Sequence, residues 1–166
     1  AAQQRSLADT GVAQPAIAAL SCGTFDAMLG LGVAPHRVAG HSFGEFVALH
    51  AAGVLSREEL ACLARERGRL MAGVAPDAGT MAMVALAPDA VARELAGVAG
   101  VVVANRNAPG QTVISGAKPA VQAVAARLGA AGHVVRQLTV SGAFHSPLMA
   151  PARAPFAEFL QQRVTF

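Results

Sequence analysis

Tryptophan and tyrosine are absent from the 166 residues, and lysine occurs once, at position 118. The other basic residues are twelve scattered arginines. A chain without those rings and without a basic stripe lacks the stacking platforms and electrostatic footprint of a nucleic-acid binder. Hydrophobic residues make up 54% of the sequence, yet no run of about 18 is unbroken by Gly, Pro or polar groups, which argues against a membrane span. A charged n-region and signal-peptide pattern are also missing. The two cysteines, Cys22 and Cys62, lie far apart and lack metal-ligand spacing, so no metal site is expected and a reduced, cytoplasmic setting is. The first residue is not methionine, and the opening reads as the middle of something longer, a fragment or an excised domain.

What is present is Ala and Val broken by Gly, Pro and charges, the texture of an α/β protein. The length suits one domain with a small subdomain and a real core. A helix is expected from Gln14 to about Leu29, with Pro15 in its first turn. "GLGVAP" ends it, and Arg37 to Gly40 reads as a short strand. Phe43 to Ala52 follows as helix, stopped by Gly53. Ser56 with Glu59 is a capping-box signature for the next helix. From about residue 78 to 139 the pattern becomes β-α-β-β-α-β, the split βαβ order of a ferredoxin-like unit. This implies a ferredoxin-like small subdomain, 78–139, inserted into a larger α/β core made of 1–77 and 140–166. The net charge of +3 would suit an acidic partner or a phosphorylated ligand.

Within "VAGHSFGEFVALHAAG" the sequence Gly40-His41-Ser42-Phe43-Gly44 is G-x-S-x-G between a strand-like and a helix-like segment. That is the context of a nucleophile elbow. The glycines would let the chain turn sharply without side chains striking the strand and the helix. The helix N-terminus then lies at Ser42, and the Phe43 N–H becomes a natural oxyanion donor. A tight turn whose serine merely caps the helix is the other reading of the motif alone.

A serine nucleophile needs a general base, and histidine is the usual one. His36 falls in a loop, His41 flanks the serine on the opposite side of the strand end, His50 lies two turns down the helix, and His133 opens a strand. His145, in "SGAFHSPLM", follows the last strand of the insertion and precedes a Pro-initiated helix, where α/β folds keep catalytic groups. No carboxylate stands out as a third member. Asp89 and Glu94 belong to one surface helix, and Glu58, Glu59 and Glu66 to another. A Ser42–His145 dyad is therefore expected.

The helix from Arg57 to about Val74 carries Leu60, Leu63, Ala64, Leu70, Met71 and Val74 at i, i+3, i+4 spacing. Arg67 falls within that stripe, whereas Arg65 and Arg69 lie on a more exposed face. A guanidinium on an inward face requires an anion. Two partners fit: an internal carboxylate such as Glu45, or the carboxylate of a substrate held by the arginine fork.

Taken together, "TGVAQPAIAAL", "GHSFGEF", "AAGVLS", "RERGRLM", "NAPGQTVISG" and "GAFHSPLM" resemble, in order and spacing, the malonyl-CoA:acyl-carrier-protein transacylases and the acyltransferase domains of polyketide and fatty-acid synthases. The resemblance covers almost the whole chain. It implies an α/β-hydrolase-like core with an inserted ferredoxin-like subdomain. It also implies Ser42 as the acylated nucleophile, His145 as its base, Arg67 on the free carboxylate of the extender, and Gln14 near the active site. Phe144 and Phe43 match malonyl-selective rather than methylmalonyl-selective members, although Gly142 stands where the malonyl signature usually opens with histidine. The Gly-Gln-Gly segment that supplies a second oxyanion contributor has no match before Gln14, and the family's C-terminal strands do not follow Phe166, so an incomplete domain is expected. The implied activity is transfer of a malonyl unit from coenzyme A through a serine ester to the phosphopantetheine thiol of an acyl carrier protein. That activity needs no permanently bound cofactor and places the chain among other synthase domains. A serine hydrolase or thioesterase on the same core, and a non-catalytic domain that docks a carrier protein, are the alternatives.

Overall fold

The computed structural model describes residues 8–74 and 79–164. Its contacts divide the chain into two compact units, one containing the residues up to Met71 and from Ala154 onward, the other running from Ala72 to Arg153.

Helix α1 (Thr10–Gly30) opens the first unit. Asp9 caps it, its side chain accepting the Gly11 N–H at 2.8 Å. The helix therefore begins four residues before the expected Gln14 start, and Pro15 lies inside it. The cap sets the beginning, and the hydrogen bond that proline cannot donate is lost only to Gly11, in the first turn. Thr10, Gln14, Ala18 and Cys22 are buried at four-residue spacing, a single stripe along the helix. By length and composition alone α1 is also apolar enough to cross a membrane, with 17% of the relevant window buried. The sequence reading, which asked for an unbroken run, passed over it.

Helix α2 (Gly44–Ala51) and helix α3 (Arg57–Ala72) follow. Ser56 and Glu59 form the expected reciprocal cap of α3: the Ser56 N–H donates to the Glu59 carboxylate at 2.8 Å, and the Glu59 N–H to the Ser56 hydroxyl at 3.1 Å. Leu60, Leu63 and Ala64 of α3 pack with Ala18, Cys22, Phe43 and Leu55 in the core of this unit. Residues 37–40, expected as a strand, form none. A strand exists by giving its hydrogen bonds to a neighbour, and all the strands among the described residues belong to the sheet of the other unit.

That sheet has the order β2-β3-β1-β4, from strands β1 (Gly79–Val84), β2 (Val101–Ala108), β3 (Gln111–Ala117) and β4 (Val135–Gln137), with every neighbouring pair antiparallel. Helix α4 (Pro88–Glu94) links β1 to β2, and helix α5 (Lys118–Ala130) links β3 to β4. This is the split βαβ arrangement read from the sequence. Ala82, Val84 and Ile114 of the strands meet Val91 of α4 and Val121, Val124 and Leu128 of α5 in one core. Strand β4 is shorter than its apolar run because only three of its residues find partners on β1. After a loop, Ser146 caps a 3₁₀ turn (Pro147–Ala152), and helix α6 (Arg153–Arg163) continues from it. The mixed α/β class and its ferredoxin-like sheet are thus present.

Candidate active site

Among the described residues, two that are not glycine have positive φ: Ser42 at 55° and His145 at 58°. These are the two residues the sequence nominated as nucleophile and base. The left-handed region is disfavoured for a side chain with a Cβ, and residues held there cluster at functional sites.

The turn at Ser42 forms because residue 40 has no side chain. A Cβ there would lie 2.1 Å from the carbonyl carbon and oxygen of Gly44, so only glycine lets the incoming chain cross the start of α2. Gly44 differs: a Cβ on it would meet nothing within 4 Å among the described residues. The expectation that both glycines relieve collisions therefore holds for the first alone. The amides of Gly44, Glu45 and Phe46 donate to the carbonyls of His41, Ser42 and Phe43, at 2.9, 3.1 and 3.1 Å. The Phe43 N–H precedes that ladder, at the positive end of α2. The Phe43 side chain is a core anchor, 6% exposed, with its ring 6.1 Å from that of Phe46. What Phe43 offers a ligand is main chain.

In the second unit, His145 is exposed, while Gly142 and Ala143 before it are buried. Ser146 holds the loop: its hydroxyl donates to the Ala143 carbonyl at 2.7 Å and accepts the Leu148 N–H at 3.3 Å. Phe144 is half-buried, and a Cβ at Gly142 would touch its ring at 3.5 Å. His50, by contrast, has its Nδ1 2.8 Å from the Leu55 carbonyl, a structural contact within the first unit.

Arg67 is half-buried, while Arg65 and Arg69 are exposed. Among the described residues the ion pairs are Arg57–Asp26, Arg69–Glu66, Arg106–Asp89 and Arg127–Glu94, and none includes Arg67. The internal salt bridge to Glu45 is thus not formed, although Glu45 attracts the guanidinium at longer range. Burial holds the Arg67 pKa below its ordinary value, and the Glu45 charge opposes that shift. Its contacts are neutral ones. NH1 donates to Gln14 Oε1 at 2.8 Å, and the guanidinium carbon lies 5.7 Å from the centre of the Phe46 ring. Gln14 and Arg67, nominated separately, are therefore brought together. Sequence reasoning missed Phe46 and Thr10 around them, and had Met71 only as an apolar member of the Arg67 stripe. The available signal was spacing, since Phe46 lies one turn after Ser42 and Thr10 one turn before Gln14.

A serine held in a strained turn at a helix start is an arrangement found in the serine acyl-transfer class. Within that class the chain belongs to the acyl transferase domain family, which it matches over residues 1–165. It is 48% identical over 151 residues to mycoketide-CoA synthase of Mycobacterium tuberculosis, an alignment that covers 91% of this chain and 4% of that protein. It is similar to the acyltransferase domain from the second module of the salinomycin polyketide synthase, with a TM-score of 0.90 and 42% identity, over 97% of this chain and 38% of that one. A malonyl-transacylase solved in complex with its type II polyketide synthase acyl-carrier protein gives a TM-score of 0.90 at 34% identity, covering 97% of this chain and 54% of that one. The chain thus spans a small fraction of the synthase and about two fifths to a half of these structures.

Proposed function

We propose that the chain is the part of an acyltransferase that takes a malonyl unit from coenzyme A onto Ser42 and passes it to the phosphopantetheine thiol of an acyl carrier protein, in cytoplasmic polyketide or fatty-acid biosynthesis. The observation that carries the proposal is the positive φ of Ser42 and His145 alone among the described non-glycine residues. His145 takes the Ser42 proton as the hydroxyl oxygen attacks the thioester carbonyl. The Phe43 N–H supports the oxyanion. The carbon–sulfur bond breaks, and coenzyme A leaves as a thiol with the proton returned by His145. The carrier's thiol then attacks the malonyl ester in the same way, and Ser42 leaves as a hydroxyl. Arg67 holds the free carboxylate, Gln14 supports Arg67, and Phe144 limits branching next to the carbonyl. The malonyl choice rests on the half-buried guanidinium with its neutral contacts, and is in keeping with the malonyl-transacylase among the similar structures.

The test is acyl-enzyme formation. The full-length encoded protein is incubated with malonyl-CoA or acetyl-CoA, and the peptide bearing Ser42 is weighed by mass spectrometry. A malonyl adduct that Ser42→Ala abolishes is expected, whereas a domain that only docks a carrier protein shows none. Arg67→Ala should lower kcat/KM for malonyl-CoA by about 10- to 100-fold, the value of hydrogen bonds to a charged group, and affect acetyl-CoA far less. Equal loss with both would mean that the arginine is structural.

A further inference from the structure

Thr10 is the first residue of α1, and Gln14 lies one turn on along the same stripe; they are 6% and 4% exposed. Gln14 joins three groups. Its Oε1 accepts from Arg67 NH1 at 2.8 Å, its Nε2 donates to Thr10 Oγ1 at 2.7 Å, and the same nitrogen lies 3.5 Å from Met71 Sδ. An amide has a donor end and an acceptor end of nearly equal shape, and a guanidinium has only donors. Arg67 is therefore served by one orientation of Gln14. The thioether sulfur is a weak acceptor, so the firm anchor on the nitrogen end is the threonine hydroxyl. The Phe46 ring meets the guanidinium as well. Together these groups fix where the guanidinium sits without spending its charge on a protein carboxylate.

We propose that Thr10 is a positioning residue for the extender's carboxylate: through Gln14 it holds Arg67 in the pose that receives the anion. This rests on the assignment of Arg67 to that carboxylate. Removing the hydroxyl frees the Gln14 side chain, and Arg67 must be ordered when substrate binds. The loss should therefore appear in KM, and only for acyl groups that carry a carboxylate.

Thr10→Val, Thr10→Ser and Arg67→Ala are compared in the full-length encoded protein, with kcat and KM measured separately for malonyl-CoA and acetyl-CoA. Thr10→Val should raise KM for malonyl-CoA about three- to tenfold, the effect of one neutral hydrogen bond, with a much smaller change for acetyl-CoA. Thr10→Ser, which keeps the oxygen, should restore malonyl-CoA binding. Equal effects of Thr10→Val on the two substrates, or no rescue by serine, would overturn the proposal. So would an unchanged malonyl KM beside an Arg67→Ala that still discriminates, and that result would leave the Arg67 assignment standing. An Arg67→Ala that fails to discriminate sinks the assignment and this proposal with it. Should the valine variant fail to fold, Thr10→Ala carries the same comparison.

Discussion

A residue with a Cβ in the left-handed region carries roughly 1–2 kcal/mol of steric strain that glycine does not. Ser42 and His145 both sit there, so each position allows a comparison that isolates the backbone from the side chain's hydrogen bonds. Alanine and glycine both remove the polar group; they differ only in the Cβ. Glycine is expected to be the more stable of the two by about 1 kcal/mol at each position, after part of the gain is lost to the freer unfolded chain. Thermal unfolding of Ser42→Gly against Ser42→Ala, and of His145→Gly against His145→Ala, measures this directly. Equal melting temperatures would mean that the positive φ stores no strain, and the mark that singles out these two residues would lose its meaning. Neither Ser42 variant can form an acyl-enzyme at residue 42, so there the gain in stability would come with complete loss of loading, the usual direction of trade at a strained functional turn.

Between elements, the contact that brings Arg67 to Gln14 is made by the residue next to the arginine. A Cβ on Gly68 would lie 2.8 Å from the Thr10 carbonyl oxygen and 3.0 Å from the Gly11 Cα, both backbone atoms that cannot swing aside. Helix α3 therefore crosses the start of α1 at a distance that only glycine permits. Gly68→Ala should gain a little helix propensity, up to about 1 kcal/mol, and lose more by forcing the helices apart, about 1–3 kcal/mol for overpacking. A lower melting temperature is expected, together with a narrower preference for malonyl-CoA over acetyl-CoA. A variant as stable and selective as the parent would show that the crossing does not set the Arg67 pose. The same crossing marks the limit of what the sequence reveals. Periodicity showed that Arg67 lies in the stripe of Leu60, Leu63 and Ala64, because a helix repeats its own face. Which side chains wait opposite depends on how two helices meet, and neither helix encodes that alone; Thr10 and Phe46 went unassigned for this reason, whereas Met71 was legible only as a member of the Arg67 stripe. Residues 37–40 failed as a strand on the same ground, since apolar texture announces a strand only where a partner takes its hydrogen bonds. The ferredoxin-like sheet was legible because strands and crossovers alternate within one short segment, and the turn at Ser42 because Gly40 has a steric reason visible in five residues.

For the molecule as a whole, what separates a transferase from a hydrolase built on the same elbow is the fate of the ester. Either would load the elbow serine; only a transferase would protect the acyl-serine until a thiol arrives. An arginine that grips the carboxylate can serve that end as well as selectivity, because it keeps the acyl group seated after coenzyme A leaves and keeps water from the carbonyl. The chain covers 38% of the salinomycin acyltransferase domain it is similar to, so this property belongs to the full-length encoded protein and is measured there. With malonyl-CoA alone, that protein should accumulate the Ser42 ester and release malonate slowly. Adding an acyl carrier protein that bears phosphopantetheine should speed discharge and move the malonyl group to the carrier, whereas the carrier's apo form should do neither. Arg67→Ala, loaded with enough malonyl-CoA to offset its weaker binding, should leak a larger share of its ester to water. If malonate instead appears at the same rate with and without the carrier, the protein is a hydrolase, and the clamp at Arg67 serves recognition without protection.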